Sequence, residues 1–456
     1  MSLISLNPAT GRVIERYEAH GEAQWRAVVD AAGRAFLQWR RRSVSERAQS
    51  LRDLAAVLRS RRGEMADLAT LEMGKPIRES LVEVDKCAEF LDVMAGYGPT
   101  ALADVPAPRA RGESIIAFEP LGVILAVMPW NFPYWQVFRF AGPALLAGNA
   151  TLLKHATNVT GCALAMQQAV ADAGLNPDLF GVLKLPGEEV LNVLAHPAVG
   201  GAALTGSAAA GSRLAEAAGR NIKKTVLELG GSDPLLVLED ADLDACVKSA
   251  ASYRLRNAGQ TCLAPKRMIA LKSVSKKFEE KLAQAFASFR LGDPTDASTD
   301  VGPLAREDLR ERVRGQVRRS LDRGARLVYG GEDQTGPGFY FQPTILADCG
   351  PGMPAWDEEI FGPVASLTTA ESEEHALRLA NDTHFGLASS IWTRDIERGQ
   401  RLARKIEAGS VTINGPSGSD FHLPFGGVKK SGYGREMAEI GLREFVNIKS
   451  IRVFDT

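Results

Sequence analysis

The sequence predicts an α/β fold in which parallel β-sheets are connected by helices. Two observations support this fold class. From residue 121 onward, short apolar runs of strand length alternate with stretches of helical periodicity, which is typical of parallel sheets with crossover helices. The chain also has 456 residues, 45% of them hydrophobic and 24% charged, so it is long and apolar enough for roughly two or three globular domains.

The elements are predicted in chain order from their periodicity. The first hundred residues are predicted to be helical with polar faces, as in Glu22–Trp39 and 44–61, where apolar residues recur at helical spacing. Strand–turn–helix units follow, beginning with a buried strand over Val123–Met128, and the pattern restarts after Thr225. The further strands are predicted at 150–154, 180–185, 201–204, 226–229 and 235–238, and the helices at 137–147, 162–173 and 243–256.

Two other segments, 114–118 and 444–454, alternate between apolar and polar residues like strands at the edge of a sheet. Strands and helices continue to about residue 414, and 415–419 is predicted to be a loop. Short terminal and inserted strands often extend the sheet of a neighbouring subunit, so the sequence predicts a homodimer or homotetramer.

Composition and charge argue against several classes of function. The formal net charge is -1, which gives no electrostatic basis for binding nucleic acid or an anionic membrane. The first residues lack the pattern of a signal peptide, and no apolar run is long enough to span a bilayer. Five scattered cysteines without a CxxC pair predict a reducing cytoplasm, and six histidines without an HExxH pattern predict no catalytic metal.

A dinucleotide phosphate site is the first functional candidate. The G-x-G-x-x-A segment at 96–101 matches the usual fingerprint, but it follows a helical pattern and contains Pro99, so we interpret it as a chance match. The segment from Gly206 to Gly211 is a better candidate, because it follows a short strand and opens a helix whose free N–H groups suit an anion. Ser207 adds a hydroxyl donor, although a Thr-Gly-Ser turn alone is more often a plain helix cap.

Three residues on different segments carry the candidate chemistry. Cys262 follows a glycine-containing loop, where exposure and free backbone N–H groups favour the thiolate, although a lone cysteine is more often a buried inert thiol. Glu228 ends a strand before two glycines, where it is either desolvated enough to act as a base or simply points outward. Asn131 lies in a turn between two prolines, which suits a fixed oxyanion donor or, alternatively, a structural turn with an Asx cap.

Together and in this order, these segments resemble the NAD(P)-dependent aldehyde dehydrogenase superfamily over essentially the whole chain. The motifs that carry the resemblance are Trp130-Asn131-Phe132-Pro133, the strand end at Lys154, Gly206-Ser207 through Gly211, Glu228-Leu229-Gly230-Gly231, Gly259-Gln260-Thr261-Cys262, Glu358-Glu359-Ile360-Phe361-Gly362-Pro363 and Pro424-Phe425-Gly426-Gly427. The resemblance implies an aldehyde dehydrogenase-like α/β fold with three parts. We expect a Rossmann-type cofactor domain (1–102 and 121–230), an α/β catalytic domain (231–429) and a small β oligomerisation arm (103–120 and 446–456).

The resemblance also implies a covalent mechanism. The Cys262 thiolate attacks the aldehyde carbon, and the oxyanion of the thiohemiacetal is held by the Asn131 amide and the Cys262 backbone N–H. Hydride leaves to the nicotinamide, and Glu228 deprotonates the water that hydrolyses the thioester. The cofactor-binding residues implied in the same way are Trp130, Lys154, Thr157, Gly206, Ser207, Gly211, Leu229, Glu359 and Phe361.

The segment after Lys154 predicts which dinucleotide is used. NAD-preferring members of the family often carry a glutamate three residues after this lysine, where it bonds the adenosine ribose. Here that position is Thr157, which does not repel a 2′-phosphate and leaves Lys154 free to pair with it. We therefore expect NADP to be accepted alongside NAD, or even preferred to it. The alternative is that Thr157 simply bonds the ribose and NAD is used.

Two arginines predict the substrate. Arg139 lies on the helix after the Trp-Asn-Phe-Pro motif, Arg256 lies shortly before the cysteine, and in the resemblance both face the substrate tunnel. Family members that oxidise succinate semialdehyde place arginines at both positions, and a short ω-carboxylate suits two guanidinium groups. The loop 418–422 is expected to close the tunnel, with Ser419 or His422 as a further donor. We therefore predict oxidation of succinate semialdehyde, or of a close ω-carboxy aldehyde, to the dicarboxylate.

Other interpretations stay open at this point. Both arginines could pair with local acids such as Asp420, and the substrate could be glutarate semialdehyde or a neutral aliphatic aldehyde. A CoA-acylating dehydrogenase commonly lacks the water-activating glutamate, so Glu228 argues against that alternative. A catalytically inactive scaffold would be expected to lose Cys262, Glu228 or Asn131, and all three are present. Ala264 stands where some family members carry a second cysteine, so no local redox switch is expected.

Overall fold

The structure is a computed structural model that describes residues 2–108, 110, 112–332 and 336–454. Residues 1, 109, 111, 455 and 456, which belong to the predicted cofactor domain and oligomerisation arm, lie outside the described residues, as do 333–335 of the predicted catalytic domain. The helices are α1 Glu22–Trp39, α2 Val44–Ser60, α3 Arg62–Met73, α4 Ile77–Ala101, α5 Trp135–Leu146, α6 Thr160–Asp172, α7 Ala208–Arg220, α8 Leu243–Leu255, α9 Lys272–Ala287, α10 Glu307–Leu321, α11 Pro354–Asp357, α12 Glu373–Asn381, α13 Ile396–Ala403 and α14 Ala438–Leu442. The strands are β1 Ser2–Leu6, β2 Val13–Glu18, β3 Val105–Pro106, β4 Glu113–Pro120, β5 Val123–Met128, β6 Ala150–His155, β7 Phe180–Val182, β8 Val199–Thr205, β9 Lys224–Glu228, β10 Asp233–Val237, β11 Pro265–Leu271, β12 Arg326–Tyr329, β13 Thr344–Ala347, β14 Val364–Ala370, β15 Ala388–Trp392, β16 Ser410–Ile413, β17 Gly432–Tyr433 and β18 Val446–Val453.

The first sheet positions about half of the predicted site residues at its carboxyl edge. Its six strands lie in the order β17-β9-β8-β5-β6-β7, and neighbouring strands are parallel except β17 and β9. β5 is apolar and almost fully buried because α1 and α5 both pack on it. The strand order reverses at β5, with β6 on one side and β8 on the other, and such a switch point leaves a crevice at the carboxyl ends of the strands.

The second sheet carries the cysteine loop. Its seven strands lie in the order β12-β13-β14-β11-β10-β15-β16, and only β12 runs antiparallel to its neighbour among the described strands. Every residue of the central strand β11 is buried, and Cys262 lies three residues before it. A fully packed strand therefore anchors one end of the loop that carries the thiol.

The N-terminal segment differs from the helical prediction, which is wrong for residues 2–18. These residues form the antiparallel hairpin β1–β2, whereas α1 has the predicted bounds. In β1 the buried side chains are Leu3 and Ser5, while Ile4 is 36% exposed. Ser5 is buried because its hydroxyl donates to Glu72 Oε1 at 2.7 Å. Because the buried residue is a serine and its exposed neighbour is an isoleucine, apolar and polar residues do not alternate as in a half-buried strand. Hydrophobic periodicity therefore does not predict the hairpin.

A third sheet, in the order β18-β4-β3, contains both of the predicted edge segments. β18 pairs with β4 along its whole length and leaves its other edge open, with Ile448, Ile451 and Val453 exposed. The domain boundaries and the number of subunits stay predictions. Among the described residues, no helix is long and apolar enough to cross a membrane.

Candidate active site

Two hollows in the protein share Cys262 as a wall. The first, which we call the arginine pocket, has a volume of about 140 Å³, and its wall includes Lys86, Trp135, Arg139, Arg256, Cys262 and Ser419. The second, which we call the large cleft, has a volume of about 390 Å³, and its wall includes Trp130, Asn131, Ser207, Glu228, Glu359 and Phe361 as well as Cys262. The predicted nucleophile, base and oxyanion donor therefore lie around one cleft.

The loop before Cys262 is held in a left-handed backbone conformation. Residues 257–259 all have positive φ, between 52° and 71°. A Cβ at Gly259 would lie 2.2 Å from the carbonyl oxygen of Gly362, so only glycine fits at this position. Lys266 fixes the other end, because its Nζ donates to the carbonyl oxygen of Cys262 at 2.7 Å. These constraints hold the thiol in one place between the two hollows.

Burial dominates the acidity of the Cys262 thiol. It raises the pKa of Cys262 to about 11, and the nearby cations Arg139 and Lys266 oppose that shift only in part. This differs from the expectation of an exposed cysteine with a favoured thiolate, since the side chain is half-buried. The thiol therefore holds its proton at neutral pH until a base or a bound molecule assists its removal.

Asn131 is joined to the cysteine loop across the two sheets. Its side chain is 3% exposed, and its Nδ2 donates to the carbonyl oxygen of Gln260 at 2.9 Å. In return, Asn257 Nδ2 donates to the carbonyl oxygen of Asn131 at 2.7 Å. A side-chain amide has two donor hydrogens, so Asn131 keeps one for an oxyanion formed next to the thiol.

Glu228 is buried at the end of β9 without a hydrogen-bond partner for either carboxyl oxygen among the described residues. Burial and the carboxyl group of Glu436 raise the pKa of Glu228 well above its ordinary value, while Arg139 opposes the shift. A Cβ at Gly426 would lie 2.6 Å from Glu228 Oε1, so a glycine is needed for this close approach. A desolvated carboxyl group without a partner is suited to exchange protons with a molecule bound in the cleft.

The two arginines of the arginine pocket differ in their partners. Arg139 is almost fully buried, forms an ion pair with Glu436 and lies 4.4 Å from the ring centroid of Phe425. Arg256 lies 5.5 Å from the ring centroid of Phe132 and forms no ion pair with an acid in the part of the chain that the structure describes. The local acid considered from the sequence, Asp420, instead accepts a hydrogen bond from the backbone of His422.

The whole chain matches a known family of proteins. The sequence profile described as the aldehyde dehydrogenase family matches residues 2–451. The chain belongs to the aldehyde dehydrogenase family. It is 46% identical over 451 residues to the probable succinate-semialdehyde dehydrogenase (NADP(+)) of Synechocystis sp., covering 99% of each chain. It is 45% identical to the succinate semialdehyde dehydrogenase (NAD(P)+) Sad of Escherichia coli, covering 98% of this chain and 97% of the relative.

Solved structures show the same similarity. The succinic semialdehyde dehydrogenase from Streptococcus pyogenes, in complex with NADP+, superposes with a TM-score of 0.97 and is 37% identical, covering 99% of this chain and all of the other. The α/β aldehyde dehydrogenase fold that the sequence predicts is therefore confirmed. The roles of the individual site residues stay predictions, since similarity of whole chains does not test them.

The large cleft of this aldehyde dehydrogenase fits a dinucleotide. α7 begins at the cleft, and Ser207 caps it by accepting the Ala210 N–H at 3.2 Å, which leaves the first N–H groups of the helix unbonded. Thr205 Oγ1 is buried at the cleft without a hydrogen-bond partner among the described residues. Free donors at the start of a helix suit a pyrophosphate group.

The opposite wall of the cleft also has suitable groups. Glu359 Oε1 accepts the Gly231 N–H at 3.1 Å and lies 3.5 Å from Lys266 Nζ. The rings of Trp130 and Phe361 meet edge to face with centroids 5.8 Å apart. A carboxylate and an aromatic surface can hold a ribose and a nicotinamide ring. The described residues contain no group of three or more His, Cys, Asp or Glu side chains placed to hold a metal ion.

Four predicted site residues lie outside the walls of these hollows. Lys154 lies at the carboxyl end of β6, opposite Val127 of β5, and Thr157 begins a short turn after that strand. Gly211 contributes close packing, since a Cβ there would lie 2.7 Å from Leu229 Cδ2. The ring of His422 packs near Tyr97, with centroids 6.2 Å apart. These positions give His422 no direct place in the arginine pocket.

Sequence analysis missed one face of α4. Glu79 accepts the Asn257 N–H at 2.9 Å, Glu83 accepts the Trp135 N–H at 2.9 Å, and Lys86 Nζ donates to Ser419 Oγ at 2.8 Å. The three side chains recur at helical spacing, so α4 supports the cysteine loop, the start of α5 and the 417–419 loop at once. That spacing was the available signal, but charged residues at this spacing usually indicate a solvated face.

Proposed function

We propose that this aldehyde dehydrogenase oxidises succinate semialdehyde, or a close ω-carboxy aldehyde, to the dicarboxylate with NADP+ or NAD+. The observation that carries the proposal is that Arg139 and Arg256 line the same pocket as Cys262. An aldehyde whose carbon reaches the thiol therefore meets guanidinium groups at its far end, and these groups bind carboxylates in a bidentate manner. The names of the relatives from Synechocystis sp. and Escherichia coli support the same substrate and the same dinucleotides.

In the proposed reaction, Cys262 is the nucleophile. The Cys262 thiol first loses its proton to water in the cleft, and the thiolate attacks the aldehyde carbon. The Asn131 side-chain amide and the Cys262 backbone N–H stabilise the oxyanion that forms. A bound nicotinamide dinucleotide supplies the hydride acceptor needed to oxidise this adduct to a thioester. Glu228 then deprotonates the water that hydrolyses the thioester and releases the acid. Arg139 and Lys266 favour the thiolate, because both cations lower the pKa of the cysteine against the effect of burial.

The dinucleotide would lie along the carboxyl ends of the first sheet. We assign Gly206, Ser207 and the start of α7 to its pyrophosphate, and Glu359 to its nicotinamide ribose, with Trp130, Leu229 and Phe361 bordering the same half. Lys154 and Thr157 would meet the adenosine ribose. The neutral Thr157 does not repel a 2′-phosphate, which supports the use of NADP+ as well as NAD+.

Assembly and compartment are also part of the proposal. The open edge of β18 and its exposed residues Ile448 and Ile451 support a homodimer or homotetramer that pairs through the third sheet. We retain the predicted division into a cofactor domain, a catalytic domain and an oligomerisation arm. All five cysteines are free thiols, which supports a reducing cytoplasm as the compartment.

A substrate panel tests the proposal directly. Steady-state kinetics with succinate semialdehyde, glutarate semialdehyde and butanal, each with NADP+ and NAD+, should show kcat/KM about ten- to hundredfold higher for an ω-carboxy aldehyde than for butanal. Product analysis should find the free acid both with and without CoA. Equal kcat/KM for butanal would contradict the proposed substrate, and an acyl-CoA product would contradict hydrolysis by Glu228-activated water.

A further inference from the structure

The arginine pocket contains a third cation, Lys86, which the proposed chemistry does not use. Its Nζ donates to Ser419 Oγ at 2.8 Å. The same ammonium group lies 3.9 Å from the ring centroid of Trp135 and 5.9 Å from that of Phe421. In the part of the chain that the structure describes, Lys86 forms no ion pair with a carboxylate. A partly buried ammonium group is thus held by aromatic faces and one hydroxyl group.

The acids around the pocket are already engaged elsewhere. Arg139 is neutralised by its ion pair with Glu436, and Glu83 forms a buried ion pair with Lys75. A third acid, Glu79, accepts the N–H of the cysteine loop at 2.9 Å. The carboxyl groups of Glu436 and Glu83 are therefore already paired with cations, whereas Glu79 forms no ion pair among the described residues.

Two cations, Lys86 and Arg256, face the cavity without an ion-paired carboxylate among the described residues. Arg256 interacts electrostatically with Glu79. Burial raises the pKa of Glu79, and the positive charge of Arg256 opposes that increase. Partly buried charges of one sign are costly, and an anion that enters the cavity relieves that cost.

We propose that Lys86 and Arg256 together bind the distal carboxylate of the aldehyde, which makes Lys86 a specificity-determining residue. This proposal rests on the proposed function, because it assigns a further contact to the same substrate. Both side chains belong to the wall that also contains Cys262, so a carboxylate between them can belong to a molecule whose aldehyde carbon meets the thiol.

The surroundings of Lys86 orient its ammonium group for this contact. Ser419 accepts a hydrogen bond from one of the three ammonium hydrogens. The face of Trp135 attracts the cation but carries no negative charge that would replace a carboxylate. One of the three hydrogens therefore remains for a carboxylate when a second faces the ring. Arg256 supplies the planar fork that complements a second carboxylate oxygen.

The competing explanation is that Lys86 has only a structural role and anchors the 417–419 loop through its hydrogen bond to Ser419. In that case, loss of the Ser419 hydroxyl group would have the same effect as loss of the ammonium group. The effect would also be the same for aldehydes with and without a carboxylate. These two consequences separate a structural role from a role in substrate recognition.

Three variants test the proposal in the full-length protein: Lys86→Met, Lys86→Arg and Ser419→Ala. Succinate semialdehyde and butanal are compared at saturating dinucleotide. In Lys86→Met, the ratio of kcat/KM for succinate semialdehyde to that for butanal should fall about ten- to hundredfold, because one charge-assisted contact is lost. The change should lie in KM. Lys86→Arg should restore most of the ratio, and Ser419→Ala should reduce it less than Lys86→Met.

The wild-type protein offers a second test that needs no variant. Burial and the charges of Arg256 and Arg139 lower the pKa of Lys86 to about 8, whereas Cys87 and Glu83 oppose that shift. Lys86 is therefore a cation below this pH and loses its charge above it. The ratio of kcat/KM for the two aldehydes should fall above about pH 8, and titration of the shared catalytic groups cancels in that ratio. In Lys86→Arg the ratio should stay constant, because a guanidinium group keeps its charge.

The outcomes separate this proposal from the one on which it rests. A wild-type protein that oxidises butanal as efficiently as succinate semialdehyde overturns the proposed function. A wild-type preference for the semialdehyde that persists unchanged in Lys86→Met overturns only the role of Lys86. Equal losses with both aldehydes in Lys86→Met also overturn it. If Lys86→Met does not fold, Lys86→Gln takes its place, and an unchanged preference for the semialdehyde in that variant overturns the role of Lys86.

Discussion

The side-chain amide of Asn131 donates to the carbonyl oxygen of Gln260 at 2.9 Å, two residues before Cys262. This bond joins the end of β5 in the first sheet to the loop that precedes β11 in the second sheet. The position of the amide relative to the thiol is therefore set by two packed sheets instead of one flexible loop. Such a rigid donor stabilises an oxyanion without reorganising during the reaction.

Replacing Asn131 with alanine should lower kcat by about a hundred- to a thousandfold, because an oxyanion donor is lost. The missing hydrogen bond to Gln260 should cost only about 1 kcal/mol of stability, so the variant should stay folded. Steady-state kinetics and a thermal unfolding curve measure the two effects. A lowered Tm with less than about a fivefold loss of kcat would show that Asn131 only anchors the loop.

Alkylation should report the protonation state of Cys262. Because burial raises its pKa to about 11, the thiolate fraction should rise about tenfold per pH unit between about pH 7 and pH 9.5. The rate of inactivation by iodoacetamide, in the absence of dinucleotide, should follow the same slope. The other four cysteines are buried, and their reaction is followed by mass spectrometry of alkylated Cys262→Ala, which carries no thiol at position 262. A rate that levels off below about pH 8.5 would contradict the raised pKa.

Glu228→Gln should separate formation of the thioester from its hydrolysis. The buried carboxyl group is proposed to activate the hydrolytic water, so replacing it with an amide should slow turnover by about a hundred- to ten-thousandfold. The first turnover does not need this water, so a rapid burst of about one reduced dinucleotide per active site should remain. Stopped-flow absorbance at the nicotinamide band measures both phases. Loss of the burst together with turnover would place Glu228 in the first half of the reaction.

How much of the fold could be predicted depended on the local pattern. The bounds of α1 and β5 agree with the prediction, because one has a helical apolar period and the other is a continuous apolar run. The hairpin at residues 2–18 escaped detection because Ser5 is buried by a bond to Glu72, which is distant in sequence. A polar residue in the core has no local signal when its partner is supplied by the tertiary fold.

The same limit applies to the site. Cys262, Glu228 and Asn131 lie in short motifs with glycine or proline neighbours, so the sequence could single them out. Lys86 and Glu436 lie in segments whose charge pattern is typical of a solvent-exposed surface. Their burial follows from packing between distant elements. Whether Arg139 has an acid partner could not be predicted for the same reason, since Glu436 lies almost three hundred residues away.

The two arginines should respond differently to substitution. Arg139→Met leaves Glu436 buried without its cation, which typically costs about 3–5 kcal/mol, so its Tm should fall markedly. The double variant Arg139→Met/Glu436→Gln removes both charges and should recover part of that loss. Arg256→Met breaks no ion pair in the described chain but removes a charge that acts on the buried Glu79, so its Tm should fall less than that of Arg139→Met. It should raise KM for succinate semialdehyde about tenfold or more. Equal changes in Tm for Arg139→Met and Arg256→Met would contradict this distinction.

The choice of dinucleotide should depend on charge at position 157. Thr157 follows β6 and lies three residues after Lys154, where the proposed site meets the adenosine ribose. Thr157→Glu places a carboxylate near a 2′-phosphate, and like charges in close contact cost several kcal/mol, so kcat/KM for NADP+ should fall about a hundredfold or more. The value for NAD+ should change far less, because a glutamate can accept hydrogen bonds from ribose hydroxyl groups. Thr157→Gln has the same size without the charge, and an equal loss of NADP+ activity in that variant would assign the effect to bulk instead of electrostatic repulsion.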